Sequence, residues 1–158
     1  MKRIAAFILA LALCFSLCAC ADDKEISIYD LQKAMLSADG QLPEMLTVSF
    51  SDSDAEKKFA YLSDMDYSKV EGYFLAYSAD GTAYEIAVIC LENSDDEAEA
   101  KASLQSHLQD RVNLYKTYEP AQASRAEDAL IISQGRCTAL IMCDNPEAVK
   151  AAFQEFLK

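Results

Sequence analysis

The sequence predicts an α+β fold with a four-stranded, mostly antiparallel sheet packed by two helices, in the order β-β-α-β-β-α, plus an N-terminal helix. Two observations lead to this prediction. Short apolar segments joined by glycine-containing turns occur in two pairs, and each pair is followed by a segment with helical apolar spacing. We expect one domain over residues 27–158, because a chain of this length buries a single core.

The N-terminal part of this domain begins with a short predicted helix. Ser27 is suited to the N-cap position, and the helix should end before Gly40. Its apolar face consists of Ile28, Leu31 and Met35. The following region is ambiguous, since residues 46–50 alternate as in a short strand and residues 55–62 could form one or two helical turns.

The first predicted strand pair lies within residues 70–91, with an Asp-Gly turn between its strands. Ser94 and Glu97 follow at the spacing of a capping box, so a helix should begin there. It should run to about residues 115–116, and Pro120 marks its end or lies just past it.

The second half repeats this order. Residues 129–133 and 137–143 are predicted strands on either side of the turn at Gly135, and Asn145-Pro146 should start the last helix. Both strands are largely apolar on each side, which is typical of strands in the covered or central part of a sheet.

The first twenty residues have the layout of an export signal: Lys2 and Arg3 precede an uncharged apolar run that ends in small residues. The run ends in Leu17-Cys18-Ala19-Cys20, which resembles the lipobox of bacterial lipoproteins. The position two residues before Cys20 departs mildly from the common lipobox pattern, because it holds Cys18 where Ser, Ala or Thr is usual. Cys18 is a poorer candidate than Cys20 for the lipidated residue, since Leu17 before it is too large for the cleavage subsite.

The lipobox resemblance implies that residues 1–19 are a signal peptide and that Cys20 becomes the lipidated first residue. Residues 20–26 would then form a short tether, and two acyl chains would make the attachment stable. The alternative is an uncleaved transmembrane helix, because residues 4–21 reach the lower length limit for spanning. Both interpretations place the domain outside the cytoplasmic membrane. The lipoprotein interpretation places it on the outer face of that membrane, anchored by lipid.

Charge limits the expected partners. The chain has 26 acidic against 14 basic residues and a formal net charge of −12. This charge opposes binding to nucleic acid or to anionic lipid headgroups. We therefore expect no nucleic-acid partner; the expected partners are the lipid anchor in the cytoplasmic membrane and an envelope protein or cell-wall component.

No catalytic residue, cofactor or metal site is predicted. The one histidine, His107, would need a nucleophile and an orienting acid to act as a general base. The four glycines cannot form a P-loop or a dinucleotide motif. Calcium deserves consideration because hard oxygen ligands alternate at Asp52, Asp54, Glu56, Asp64 and Asp66. An EF-hand counted from Asp52 fails, because Lys57 and Ser63 occupy the positions of its glycine and glutamate.

Three cysteines follow the lipobox: Cys90, Cys137 and Cys143. The last two lie six residues apart on one predicted strand, about 20 Å, and cannot pair with each other. Cys90 could meet one of them across neighbouring strands, depending on strand order. We expect buried free thiols, so that denatured, unreduced mature protein shows three reactive groups.

Tyrosines are frequent in the first strand pair. Tyr73, Tyr77 and Tyr84 could line an outward sheet face that binds a peptide or a glycan. The alternative is that they are cross-strand pairs that stabilise a half-exposed hairpin.

Several segments together resemble one family of bacterial lipoproteins. They are the VEGYFLAYSADGTAYEIAVICLEN stretch with its Glu85-Ile86-Ala87-Val88 core, the charged helix after it, the Tyr-x-Pro at 118–120, and the Gly135 turn before an apolar strand. The family is domain-of-unknown-function family 4358, and the resemblance covers residues 27–157, best over 70–157. It implies a small envelope protein of Gram-positive, Clostridia-like bacteria and brings no activity. Departures are Cys90, where lysine is common, and the cysteine pair in the last strand.

The leading hypothesis is a membrane-tethered lipoprotein domain without catalytic activity that binds a protein or wall component. The alternatives are a thiol-dependent hydrolase and a sensor of a small ligand or cation. An enzyme would be favoured if Tyr73, Glu85, His107 and Tyr118 converged on one pocket.

Overall fold

The computed structural model describes residues 26–158. The predicted signal peptide at 1–19, Cys20 and all but the last residue of the tether lie outside the described residues. Within them, no helix has both the length and the apolar character needed to cross a bilayer.

One antiparallel sheet organises the described part of the chain. Its strands are β1 (Met45–Ser49), β2 (Val70–Ser78), β3 (Glu85–Leu91), β4 (Leu130–Gln134) and β5 (Cys137–Met142). Their order across the sheet is β1-β2-β3-β5-β4, and every neighbouring pair is antiparallel. The helices are α1 (Ile28–Ser37), α2 (Ala55–Phe59), α3 (Glu97–Tyr118), α4 (Ala123–Glu127) and α5 (Pro146–Phe156).

The α+β class and the antiparallel sheet are confirmed, but the sheet has five strands, not four. The additional strand is β1, which pairs with β2 from Met45 opposite Ser78 to Ser49 opposite Phe74. Without it, the outer backbone groups of β2 would lack partners. Its five residues are too few for the alternation to predict a strand firmly.

Helices α1 and α5 pack together on one face of the sheet. Ser27 caps α1 as predicted, because its Oγ accepts a hydrogen bond from the Asp30 N–H at 3.3 Å. Gly72 in β2 lets α1 approach closely: a Cβ there would lie 2.6 Å from Ile28 Cγ1. The N-terminal helix is therefore part of the main core, although the sequence suggested only an added piece.

Helix α3 covers the opposite face, with α2 and its following turn beside it. It begins after a 3-10 turn, Ser94–Asp96. The predicted capping box is wrong, since Asn93 Oδ1 accepts from the Asp95 N–H at 3.0 Å and caps that turn. The helix continues to Tyr118, two or three residues beyond the predicted end, and Pro120 follows it as expected.

Cys90 and Cys137 form a disulfide, with their Cα atoms 4.0 Å apart. The prediction of three free thiols is therefore wrong. β3 and β5 are neighbours and place the two residues directly opposite each other on the α1/α5 side of the sheet. Among the described residues Cys143 is the free cysteine, and it is buried. The sequence left this pairing open because it did not determine the strand order.

Candidate functional site

A buried carboxylate lies between the sheet and α3. Glu85, at the start of β3, points toward α3, and its side chain is 3% exposed. His107 Nε2 lies 2.5 Å from Glu85 Oε1, and Arg111 Nε lies 3.1 Å from Oε2 without hydrogen-bond alignment. His107 and Arg111 face Glu85 together because they are one helical turn apart. Both oxygens of the buried acid therefore have a partner, which reduces the cost of burying it.

The same helix face continues the network toward the β2–β3 loop. Arg111 donates a hydrogen bond from Nη2 to the Tyr115 hydroxyl at 2.8 Å, and that hydroxyl donates to the Thr82 carbonyl oxygen at 3.2 Å. Burial raises the pKa of Tyr115, so its hydroxyl stays protonated and able to donate. The network thus fixes α3 to both β3 and the preceding loop.

A cleft of about 240 Å³ opens beside His107, between α3 and the segment that follows α2. We call it the polar cleft. Its lining includes the polar side chains of Tyr61, Ser63, Asp64, Ser103, His107 and Asp110. Tyr61 is 68% exposed, and Ser63 and Ser103 are buried. The cleft therefore has a buried hydroxyl floor and an exposed aromatic ring at its rim.

The two serines of the floor hold each other in place. Their Oγ atoms are 2.6 Å apart, and Ser63 Oγ also accepts from the Met65 N–H at 3.2 Å. Ser103 Oγ donates to Asp64 Oδ1 at 3.5 Å. In this arrangement Ser63 donates to Ser103, and Ser103 donates toward the carboxylate. Both buried hydroxyl groups are therefore oriented.

Carboxylates give the polar cleft a negative charge. Asp64 and Asp110 line it, and neither lysine nor arginine does. Neither carboxylate takes part in an ion pair within residues 26–158. Since carboxylates only accept hydrogen bonds, the cleft presents more acceptors than donors.

The four residues whose convergence would have favoured an enzyme do not share one pocket. Glu85 and His107 meet as described. Tyr73 is buried elsewhere and donates to the Ala55 carbonyl oxygen at 2.6 Å, and burial raises the pKa of its hydroxyl to about 12. Tyr118 is 74% exposed at the end of α3.

The tyrosines of the first hairpin do not line a common binding face. Tyr73 and Tyr77 belong to the α3 side of the sheet. Tyr84 packs on the other side, where it donates to Asp144 Oδ2 at 2.6 Å and the Arg125 guanidinium lies 4.0 Å from its ring centroid. The hypothesis that these three residues form one outward platform is therefore wrong.

The cysteines of the described residues lie on the opposite side of the sheet from the histidine. Cys90, Cys137 and Cys143 all belong to the core on the α1/α5 side, whereas His107 contacts Glu85 on the α3 side. Burial raises the pKa of the Cys143 thiol to about 12, so it remains a neutral, unreactive group. The contact that a thiol-dependent hydrolase requires is not formed among these residues.

Three of the five acidic residues considered for calcium, Asp52, Asp54 and Asp66, have other contacts. Lys58 lies 3.1 Å from Asp52 Oδ2 and 3.0 Å from Asp54 Oδ1, and its hydrogen bond lowers the pKa of Asp52. Asp66 accepts from the Ser68 N–H at 2.9 Å. Within residues 26–158 no three His, Cys, Asp or Glu side chains are grouped as a metal site would need.

Sequence reasoning named His107 and Glu85, and considered Asp64 only as a calcium ligand, but it missed the other components of the site. Ser103, His107, Arg111 and Tyr115 recur every four residues and so lie on one face of α3, a signal present in the sequence. The contribution of Tyr61, Ser63 and Asp64 carried no such signal, because it depends on packing between segments 40 residues apart.

Fold and site together define a helix-covered antiparallel α+β domain with one buried ion-pair network and an adjacent polar cleft. The chain belongs to the family described as domain of unknown function (DUF4358), whose model matches residues 45–143. The match runs from the first residue of β1 to the residue after β5 and includes the whole of α3. No curated protein and no solved structure matches the chain.

Proposed function

We propose that this protein is a non-catalytic binding domain, held on the outer face of the bacterial cytoplasmic membrane by lipid on Cys20. It binds a component of the cell envelope in the polar cleft. The observation that carries the proposal is the cleft itself, where an exposed Tyr61 ring borders oriented serines, two carboxylates that form no ion pair within residues 26–158, and a fixed His107.

Two features support a location outside the cytoplasm. The first is the lipobox-like segment that ends at Cys20. The second is the disulfide between Cys90 and Cys137, because structural disulfides persist in oxidising compartments. A tether over residues 20–26 reaches about 25 Å at most, so the bound component would lie close to the membrane.

His107 has an orienting acid in Glu85, but the hydroxyl group on its own helix face is already hydrogen-bonded elsewhere, and this second contact favours binding over catalysis. Its Nε2 atom is engaged by the buried Glu85, which in turn is paired with Arg111. The hydroxyl group one turn earlier on the same helix face, Ser103, is hydrogen-bonded to Ser63. A general base needs hydrogen-bond reach to the group it activates. Here the histidine instead fixes the wall of a cleft.

Anchorage is tested by mass spectrometry of protein purified from membranes. The expected N-terminal peptide starts at Cys20 and carries the diacylglyceryl group. Cys20→Ser should abolish lipidation, whereas Cys18→Ser is the matched control and should leave it intact. An unmodified residue 20 in the mature protein would refute the anchor.

Binding through the polar cleft is tested by site-specific photo-crosslinking in intact cells. A photoreactive residue at Tyr61 should give a discrete adduct with an envelope component. The same residue at Tyr118, an exposed tyrosine in a different place, is the control. Equal adducts from both positions, or none from Tyr61, would count against the cleft as the binding site.

A further inference from the structure

We propose that the ligand of the polar cleft is a saccharide, bound with one sugar face against the Tyr61 ring and its hydroxyl groups directed at the acidic wall. This inference rests on the proposed function and specifies the chemistry of the envelope component that the cleft binds. It concerns one ligand class, a polyhydroxylated ring, from a neutral or an amino-substituted glycan.

The polarity of the cleft excludes an apolar ligand. Most small-molecule sites are apolar with a few polar groups that orient the ligand. Here the floor and rim are formed by hydroxyl, carboxylate and imidazole groups, from Ser63, Ser103, His107, Asp64 and Asp110. An apolar ligand would remove these groups from water without giving them hydrogen-bond partners, which is unfavourable.

The direction of the hydrogen bonds requires a ligand that donates. Asp64 and Asp110 can only accept, and Ser103 already directs its own proton toward Asp64. A phosphate or carboxylate ligand would be repelled, since neither lysine nor arginine lines the cleft. Hydroxyl groups of a sugar donate to carboxylates in charge-assisted hydrogen bonds, which are among the stronger ones.

Tyr61 supplies the second half of sugar recognition. Its side chain is 68% exposed at the rim of the cleft, so most of its flat apolar ring is accessible to a ligand. An aromatic ring with a polar tip is suited to a ligand that has one apolar face and one hydrated, polar edge. A pyranose has this form, because its C–H groups form a face and its hydroxyl groups form an edge.

The histidine and the two serines of the cleft are held in position without a ligand. Glu85 fixes the His107 ring at 2.5 Å, and the bond of 2.6 Å between Ser63 and Ser103 fixes the floor. A site ordered in advance loses less conformational entropy when ligand binds. This is important for saccharides, because their shallow, hydrated contacts give a small binding free energy that a large loss of conformational entropy would cancel.

Saturation-transfer difference NMR on full-length lipidated protein in nanodiscs tests the inference. Three probes are compared: an N-acetylglucosamine trimer, a glucosamine trimer and a galacturonate trimer, each titrated to about 10 mM, well above a dissociation constant of about 1 mM. We expect saturable binding of at least one of the first two and none of the third. Transfer should be strongest to the ring C–H protons that face Tyr61.

Variants assign the binding to the cleft. Tyr61→Ala, and the double variant Asp64→Asn with Asp110→Asn, should each weaken binding about tenfold or more. All three positions are exposed, so the variants should fold. Tyr118→Ala and Glu119→Gln, at the far end of α3, are matched controls and should change nothing.

The outcomes separate the ligand class from the proposed function. Absence of binding by both non-acidic probes, preference for the galacturonate trimer, or binding unaffected by Tyr61→Ala would each overturn the saccharide. The photo-crosslink from Tyr61 is independent of these titrations. A crosslinked partner without carbohydrate, together with no saccharide binding, would retain the proposed function and refute this inference.

Discussion

The two faces of the sheet are built on different principles. On the α1/α5 face, apolar side chains and the Cys90–Cys137 disulfide form a closed core, with Phe74, Val88 and Ile141 fully buried. On the α3 face an apolar cluster is also present, but it borders a buried acid, an arginine, a histidine and the polar cleft. The difference is that the first face is a closed apolar core, whereas the second combines an apolar core with a buried ion-pair network and an open polar cleft.

Buried charge on the α3 face carries a cost that an apolar core would avoid. Ion pairs in the interior seldom stabilise a fold more than well-packed apolar residues of the same volume. The Glu85 network is therefore better explained by what it positions, which is His107 at the cleft. The buried acid near the other face, Asp39, instead binds backbone groups. Its carboxylate accepts hydrogen bonds from the N–H groups of Gln41 and Asn145.

The largest effect is expected from breaking the disulfide on the closed face. Cys90 and Cys137 are separated by 47 positions, and the chain-entropy relation for a loop of this length gives about 4 kcal/mol. The double variant Cys90→Ala/Cys137→Ala should lose about this much stability in urea unfolding. Saccharide binding should persist wherever the variant is still folded.

Peptide mapping under non-reducing conditions checks the pairing directly. After denaturation without reductant, the Cys90 and Cys137 peptides should remain linked while Cys143 is alkylated. Alkylation of all three cysteines before reduction would restore the free-thiol prediction made from the sequence.

Removing the buried acid should have the next largest effect. Glu85→Ala leaves the Arg111 guanidinium without its counterion, and a loss of about 3 kcal/mol is expected, since the Arg111 side chain is 28% exposed. Glu85→Gln keeps the volume and should cost less. Glu119→Gln, on the exposed end of α3, should stay within about 0.5 kcal/mol. If Glu85→Ala proved as stable as this control in urea unfolding, the network would not matter for the fold.

Gly72 tests how tightly α1 packs against the closed face. Gly72→Ala places a methyl group 2.6 Å from Ile28 Cγ1, so α1 or the Ile28 side chain must shift, and about 1–2 kcal/mol should be lost. Gly40→Ala is the matched control, because a Cβ there meets no atom within 4 Å. Thermal unfolding of both variants gives the comparison, and equal melting temperatures would show that α1 is loosely held.

The smallest effect concerns the reactivity of Cys143. Burial raises its pKa to about 12, so at pH 8 only about one thiol in ten thousand is the reactive thiolate. Iodoacetamide should leave the native protein unmodified, with a rate that still rises with pH above 9. Rapid modification at pH 8 would mean that the closed face opens locally, and a denatured sample controls for the reagent.

Much of the scaffold was predictable because its signals are local. Ser27 and the apolar spacing after it predicted α1, the two glycine turns predicted both hairpins, and Asn145-Pro146 predicted the start of α5. β1 was not predictable as part of the sheet, since five residues give little periodicity and their pairing depends on the exposed edge of β2. The cap before α3 was mispredicted although it is local, because the capping-box spacing of Ser94 and Glu97 indicated Ser94, whereas the Asn93 side chain caps the turn.

The candidate site was only half predictable. The four-residue spacing from Ser103 to Tyr115 placed the α3 contribution on one face. That this face meets Glu85, and that Tyr61 and Ser63 complete a cleft there, depended on how α3 and the segment after α2 pack on the sheet.

The sequence alone determined the type of most helices and strands and the two hairpin turns, because these follow from spacings within a few residues. Only the tertiary structure decided the strand order, and with it the Cys90–Cys137 pairing, the partner of the buried Glu85 and the existence of the polar cleft. The physical reason is that such contacts join residues distant along the chain, and they form only when separate elements pack on both faces of one sheet.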